Sequence, residues 1–178
     1  MREPATSPHL TLARRLYERA HLTGEFRLRS GALSGEYFDK YLLEADPELL
    51  LEVARALAGL LPPGAQALAG LELGGVPLAT VLSQVTGLPA RFVRKRAKDY
   101  GTGRLAEGGP LAGLRVAVVE DVVSSGGQVI ESCAQLRARG ARVEAVLCVV
   151  DREMGGRERL AAEGLELRAL FTMGELRG

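Results

Sequence analysis

The sequence predicts an α/β fold, an open and mostly parallel sheet flanked by helices, on three observations. From residue 67 onward, short apolar runs alternate with segments of helical periodicity, the pattern of strands joined by crossover helices. The chain has 178 residues, 47% apolar and 25% charged, which is the profile of one globular domain. A chain of this length buries about 68–70% of its unfolded surface and needs no disulfide or structural metal to hold a core. Finally, an apolar run over 116–119 ends on Glu120-Asp121 and passes through Ser124-Ser125-Gly126-Gly127 into a helical segment. In an open parallel sheet, ligands bind beyond the carboxyl ends of the strands, where such a turn sits.

The elements follow in order. Ser7-Pro8 reads as an N-cap with proline at the first helical position, and Leu12, Ala13, Leu16, Tyr17 and Ala20 recur at helical spacing up to Gly24. Phe26 and Leu28 alternate with Arg27 and Arg29, and residues 37–41 follow a Ser/Gly-rich turn, which predicts two short strands. Asp46-Pro47 opens a second helix whose apolar face carries Leu50, Val53, Ala54, Leu57 and Leu61, with Pro62-Pro63-Gly64 as its stop. Strands are then predicted over 67–72, 91–95, 115–120, 143–150 and 165–171. Helices are predicted over 76–86 and about 127–139, with a short one before the last strand. No element claims residues 97–113, and an uninterrupted loop of that length inside a compact domain is usually functional or disordered.

Charge and cysteine content narrow the function classes. Lys+Arg 23 against Asp+Glu 22 leaves a net charge of +1, which argues against a broadly basic nucleic-acid binder. No run reaches 18 apolar residues and the N-terminus lacks the apolar stretch of a signal peptide, so the expectation is a cytoplasmic protein with no membrane partner. Cys133 and Cys148 make no zinc framework and read as reduced core residues. His9 and His21 lie in or beside the first helix and read as surface or packing residues. Of only three lysines, Lys95 and Lys98 fall in one short segment.

Two segments carry chemistry. The Ser124–Gln128 turn offers backbone N–H groups, two hydroxyls and the positive end of a helix dipole, which suit a phosphate. Glu120 and Asp121 cannot grip a phosphate, but they accept hydrogen bonds from a sugar diol or assist a Mg²⁺ that the substrate mainly holds. Together they describe a sugar phosphate. Arg91, Arg94, Lys95, Arg96 and Lys98 put five positive charges into eight positions just before a glycine pair, the composition of a lid that closes over a polyanionic leaving group. Gly101-x-Gly103 follows charged residues rather than an apolar strand, so it is not read as a dinucleotide fingerprint, and no Walker A pattern occurs.

Residues 120–128 resemble the phosphoribosyl pyrophosphate (PRPP) signature of the type I phosphoribosyltransferases. Arg94-Lys95-x-x-Lys98-Asp99-Tyr100-Gly101 is similar to the catalytic loop of the orotate phosphoribosyltransferases among them. Three further segments resemble that family in the same order: residues 26–39 its N-terminal hood, residues 70–77 its pyrophosphate loop, and Asp151-Arg152 the place of its base-contacting arginine. The resemblance implies the type I phosphoribosyltransferase fold over 1–178, with a hood over 1–45, a PRPP-binding core over 65–157 and a mobile catalytic loop over 95–113. It implies transfer of ribose 5-phosphate from PRPP to orotate, giving orotidine 5′-monophosphate and pyrophosphate in pyrimidine synthesis, with Mg²⁺. It also implies a homodimer in which the loop acts across the interface.

Residue by residue, the resemblance gives Glu120 and Asp121 the ribose hydroxyls and Ser124, Ser125, Gly126, Gly127 and Gln128 the 5′-phosphate, with Val122 and Val123 in the same PRPP-binding stretch. It gives Leu73, Gly74, Arg94, Lys95, Lys98 and Tyr100 the pyrophosphate, and Arg29, Tyr37, Phe38, Ser124 and Arg152 the orotate ring. Lys98, Glu120 and Asp121 are the residues expected to carry catalysis. The sequence departs from the common family pattern at Gly74 and Arg29, where lysine is usual, at Tyr100, where histidine is usual, and at Gly35, where proline is usual. Two other readings compete: a phosphoribosyltransferase for another base, such as a purine, and a non-catalytic PRPP-binding regulator of RNA. The hood and the lid motif favour orotate over the first. The mixed surface charge outside the lid disfavours the second.

Overall fold

The computed structural model describes residues 7–27, 31–96 and 104–178. Six strands form one sheet in the order β5-β4-β3-β6-β7-β8: β3 Ala67–Leu71, β4 Ala90–Val93, β5 Ala106–Glu107, β6 Arg115–Val123, β7 Arg142–Asp151 and β8 Glu166–Thr172. All pairings in it are parallel except that of β5 with β4. This is the open, mostly parallel sheet the sequence predicts, with helices on both faces.

Its helices are α1 Pro8–Ala20, α2 Lys40–Glu44, α3 Pro47–Ala58, α4 Gly75–Thr86, α5 Gly127–Ala138, α6 Gly156–Ala162 and α7 Met173–Arg177. Alternation along the strands divides the core in two. Leu68 of β3 and Ala117 and Val119 of β6 face Leu16, Leu57 and Leu82 of α1, α3 and α4. Ala69, Val118 and Val146 face Cys133, Leu136 and Leu160 of α5 and α6. Both cysteines are free and buried, and burial pushes their thiols up, Cys133 to about 12, as expected of inert core residues.

Beside this sheet, β1 His21–Arg27 and β2 Leu33–Phe38 pair antiparallel. The first helix therefore ends at Ala20, before the expected Gly24, because strand pairing from His21 to Phe38 takes over. The second expected strand also ends early. Asp39 accepts a hydrogen bond from the Tyr41 N–H (3.0 Å) and caps α2, so Lys40 and Tyr41 are helical rather than extended. Asp46 caps α3 in the predicted manner, accepting from the Leu49 N–H at 3.1 Å.

Two further differences bear on the site. β6 does not stop at Glu120 but stays paired with β7 through Val123, opposite Asp151. The stretch expected to be without structure also narrows. Residues 97–103 lie outside the described residues, but β5 closes the sheet edge, and Leu105, Ala106 and Leu111 are buried in the core. Among the described residues no helix is long and apolar enough to cross a membrane.

The chain goes from β3 to β4 on one side and then returns to place β6 on the other side of β3. The carboxyl ends of β3 and β6 are thus the point where strand order reverses, the crevice in which open α/β sheets bind ligands.

Candidate active site

At the end of β6, Gly126 adopts a left-handed conformation (φ 73°) and α5 starts at Gly127. The Ile130 N–H donates to the Gly126 carbonyl at 2.9 Å, so the amides before it form the unpaired N-terminal turn of a 12-residue helix. Arg159 of α6 braces the loop from behind by donating to the Ser125 carbonyl at 2.8 Å. Ser124, Gly127 and Gln128 keep partial or full exposure, whereas Val123 is buried and contributes its carbonyl to the Arg152 N–H at 2.8 Å. The cradle is a braced strand-to-helix turn whose first amides lie beyond the helix's own hydrogen bonding, which is what binding a phosphate requires.

The two acids before it are not equivalent. Asp121 is fully buried; its Oδ1 accepts from the Val122 N–H at 2.5 Å, and its Oδ2 lies 2.6 Å from the ammonium of Lys40. Glu120 is half-buried, and its Oε1 accepts from the Asp121 N–H at 3.0 Å. The ribose contact expected of both acids is thus geometrically open to Glu120, while Asp121 is spent on Lys40 and the strand backbone. A third carboxyl, Glu44 at the end of α2, reaches the same cluster. Gly74 forms its roof: a Cβ there would lie 1.6 Å from Asp121 Oδ2 and 2.8 Å from Glu44 Oε1. No side chain fits at position 74 while Asp121 keeps its place, which gives the departure from lysine a steric reason.

The cluster shares its protons unevenly. Burial alone would raise the Asp121 carboxyl, but hydrogen bonds from Glu120 and Lys40 and the charge of Lys40 outweigh it and hold it low. Burial and then the Asp121 charge push Glu44 up to about 8, and burial followed by the Asp121 contact raises Glu120 as well. Desolvation opposes the charge on Lys40, yet the hydrogen bond and charge of Asp121 more than compensate, so its ammonium is held more firmly than in water.

Next to this cluster opens a cavity of about 320 Å³, lined by Tyr37, Phe38, Lys40, Val122, Ser124 and Arg152 among others. The structure therefore brings together the four described residues predicted to meet a base. Arg29, the fifth, lies outside the described residues. Arg152 is exposed into the cavity and follows a buried anchor: Asp151 holds the Arg157 guanidinium (3.1 and 3.2 Å) and accepts from the Glu153 N–H at 2.9 Å.

The opposite wall was not foreseen. His21 stacks on Tyr17 (ring centroids 4.5 Å apart) and sits 3.0 Å from Glu36, which also pairs with Arg177 of α7 at 2.6 Å. All four line the cavity, so His21 is a pocket residue as well as a packing one, whereas His9 packs on Phe171 at 4.6 Å as expected.

The basic segment divides. Arg91 belongs to the sheet: it is buried on β4 and donates to the Pro110 and Ala90 carbonyls at 3.3 and 3.0 Å, so it is no part of a lid. Arg94 lies 3.7 Å from Glu107 on the neighbouring edge strand. Lys95 is exposed, and its N–H donates to Glu72 at 3.0 Å, tying this segment to the loop that carries Leu73, itself 59% exposed. Lys98 and Tyr100 lie outside the described residues.

Lys40 and Glu44 are the residues sequence reading missed. A signal for Lys40 existed: it is the third of the three lysines, set directly after the Tyr37-Phe38 pair and an Asp cap.

The Phosphoribosyl transferase domain family matches residues 43–166. Orotate phosphoribosyltransferase of Nocardioides sp. is 55% identical over 166 residues, 93% of each chain. Among solved structures, orotate phosphoribosyltransferase of Mycobacterium tuberculosis H37Rv in complex with inorganic phosphate has a TM-score of 0.85 at 28% identity, covering 96% of this chain and 98% of that one. Its complex with 5-phospho-α-D-ribosyl 1-diphosphate gives 0.82 at 27% identity, covering 96% and 99%. With the phosphate cradle, the carboxylate cluster and the adjoining pocket in the order the motifs imply, the chain belongs to the phosphoribosyltransferase family, and within it to the orotate phosphoribosyltransferases.

Proposed function

We infer that the chain transfers the ribose 5-phosphate of PRPP to orotate, forming the bond from the ring nitrogen to C1 as the C1–O bond to pyrophosphate breaks. The observation that carries this reading is adjacency: Ser124 and Val122 line the cavity while the same turn continues into the phosphate cradle, so a base and a 5′-phosphate have neighbouring sites on one strand end. The PRPP complex of the Mycobacterium tuberculosis relative supports the same donor here.

Residues 124–128 hold the 5′-phosphate through amides and hydroxyls. Glu120, the accessible acid, accepts the ribose hydroxyls, and Asp121 fixes the strand end and Lys40 beneath it. Amides of Leu73 and Gly74, with Lys95 and, from the loop, Lys98 and Tyr100, neutralise the departing pyrophosphate as negative charge develops on it. Arg94 acts there only after releasing Glu107. Tyr37 and Phe38 enclose the ring, Arg152 faces its anionic edge and Arg29 approaches from the hood. Orotate is already anionic, so orientation rather than a strong base is what the pocket must supply.

The donor set fits Mg²⁺ carried in by the diphosphate: one half-exposed carboxylate, Glu120, beside hard phosphate oxygens. The ion would supply charge neutralisation at the leaving group. A single domain with a hood over 1–45, a core over 65–157 and a mobile loop within 95–113, from which the paired β5 and the buried Leu105 and Leu111 are excluded, completes the proposal. So do a homodimer whose loop reaches the partner's site and a cytoplasmic location.

The test is a base panel. With PRPP and Mg²⁺, orotate is consumed and uracil, hypoxanthine and guanine are not; consumption of a purine or uracil in place of orotate overturns the reading.

A further inference from the structure

Lys40 stands at the seam between the two halves of the site. Its backbone is fixed by the Asp39 cap at the start of α2, and its ammonium lies 2.6 Å from Asp121 Oδ2, beneath the donor site. Yet the same side chain lines the cavity with Ser124 and Arg152 and is 34% exposed, where Asp121 is 1% exposed. An ammonium has three donors and no acceptor. One is committed to Asp121, so the donors on the cavity side are available to a ligand. The cavity's other basic side chains are differently placed. Arg177 and His21 are both engaged by Glu36, and Arg152 projects from the end of β7.

Resting on the reading above, we propose that Lys40 is a specificity-determining residue that, held by Asp121, donates to the anionic orotate ring and selects a carboxylate-bearing pyrimidine over the neutral ring. The buried carboxylate keeps the ammonium charged and aimed, and the open side of the cavity gives it a direction in which to pair. Asp121 then acts on the base through Lys40, which accounts for an acid of the signature being wholly enclosed.

The test compares two products that differ only in the carboxylate. Orotidine 5′-monophosphate and uridine 5′-monophosphate both bind through the phosphate cradle, so both affinities are measurable by calorimetric titration without donor. Wild-type turnover of orotate is measured alongside, and its absence would sink the functional reading rather than this one. Lys40→Met lowers the preference for orotidine 5′-monophosphate by about 10- to 100-fold, the range of a lost hydrogen bond between charged groups. Lys40→Arg keeps the preference within about threefold, since a cation remains. If Lys40→Met does not fold because Asp121 is left uncompensated, the double variant Lys40→Met/Asp121→Asn removes both charges and shows the same loss. An unchanged preference in a folded variant, with only the KM for PRPP raised, overturns the proposal, because Lys40 then does no more than support Asp121.

Discussion

Gly74→Ala is the most direct probe of the carboxylate cluster. The added methyl carbon would fall 1.6 Å from Asp121 Oδ2, 2.4 Å from its Cγ and 2.8 Å from Glu44 Oε1. Ordinary contact needs the carboxylate to retreat by about 1.5–2 Å, which at a 6–12 potential is not a matter of compression but of displacement. A retreat of that size breaks the 2.6 Å pair with Lys40 and the 2.5 Å bond from the Val122 N–H. Removing one partner from a fully buried pair costs about 3–5 kcal/mol, and because Lys40 is 34% exposed the cost here falls below that range, to about 2–3 kcal/mol. For a domain of this size each kcal/mol moves Tm by about 2–4 °C, so Tm falls by about 4–12 °C. Thermal unfolding followed by fluorescence reads this, and the KM for PRPP, which rises as the 73–74 amides shift, is measured on the same preparations. In an Asp121→Ala background only the flexible tip of Glu44, 2.8 Å from the added carbon, has to yield, so the same glycine substitution then costs about 1 kcal/mol or less, a coupling that a double-mutant cycle isolates. A Tm within about 1 °C of wild type with an unaltered KM for PRPP would refute the placement of Asp121 beneath Gly74.

Three other outcomes follow, two from the same geometry and one, at Lys98, from the sequence. Arg157→Ala leaves Asp151, 2% exposed, without its guanidinium and removes the 2.8 Å bond to the Leu167 carbonyl. Denaturant unfolding then shows a loss of about 2–4 kcal/mol, and the KM for orotate rises more than that for PRPP because Arg152 loses its anchor. Glu44 has its carboxyl raised to about 8, so the native state binds that proton more tightly than the unfolded chain does. The stabilisation is full below about pH 4.5 and is lost as pH climbs through about 8. Glu44→Gln, with no such proton to lose, gains Tm relative to wild type between pH 6 and 9, and an unchanged difference would mean Glu44 is solvated and ordinary. Lys98→Ala lowers kcat much more than it weakens orotate binding, measured by steady-state kinetics; an unaltered kcat would remove Lys98 from the leaving-group step.

What could be read from the sequence were the features with a local cause. Apolar runs such as 116–119 and 146–150 are buried on both faces and announce themselves as strands of a parallel sheet, and the Asp46-Pro47 cap sets the start of α3 wherever the rest of the chain goes. The Ser-Ser-Gly-Gly turn is equally local, since its function resides in backbone amides and one left-handed glycine. Two short helices escaped although their caps are written in the sequence: Asp39 before α2, and Thr172 with Glu175 in a capping box at α7. Five-residue helices give too little periodicity to outweigh the aromatic run before one and the strand pattern before the other.

The pairing of Lys40 with Asp121 belongs to a different class, because 81 residues of chain separate the partners and only the docking of α2 against the end of β6 brings them together. The basic run shows the converse. Arg91 and Arg94 look alike in sequence to Lys95 and Lys98, but strand pairing of β4 with β5 turns Arg91 towards backbone carbonyls and sets Arg94 beside Glu107. Near-neutral charge was therefore informative only in sum. Which cations face an anionic ligand is decided by tertiary packing, and among the described lysines it selects the isolated one, Lys40, to stand between the donor's acids and the base.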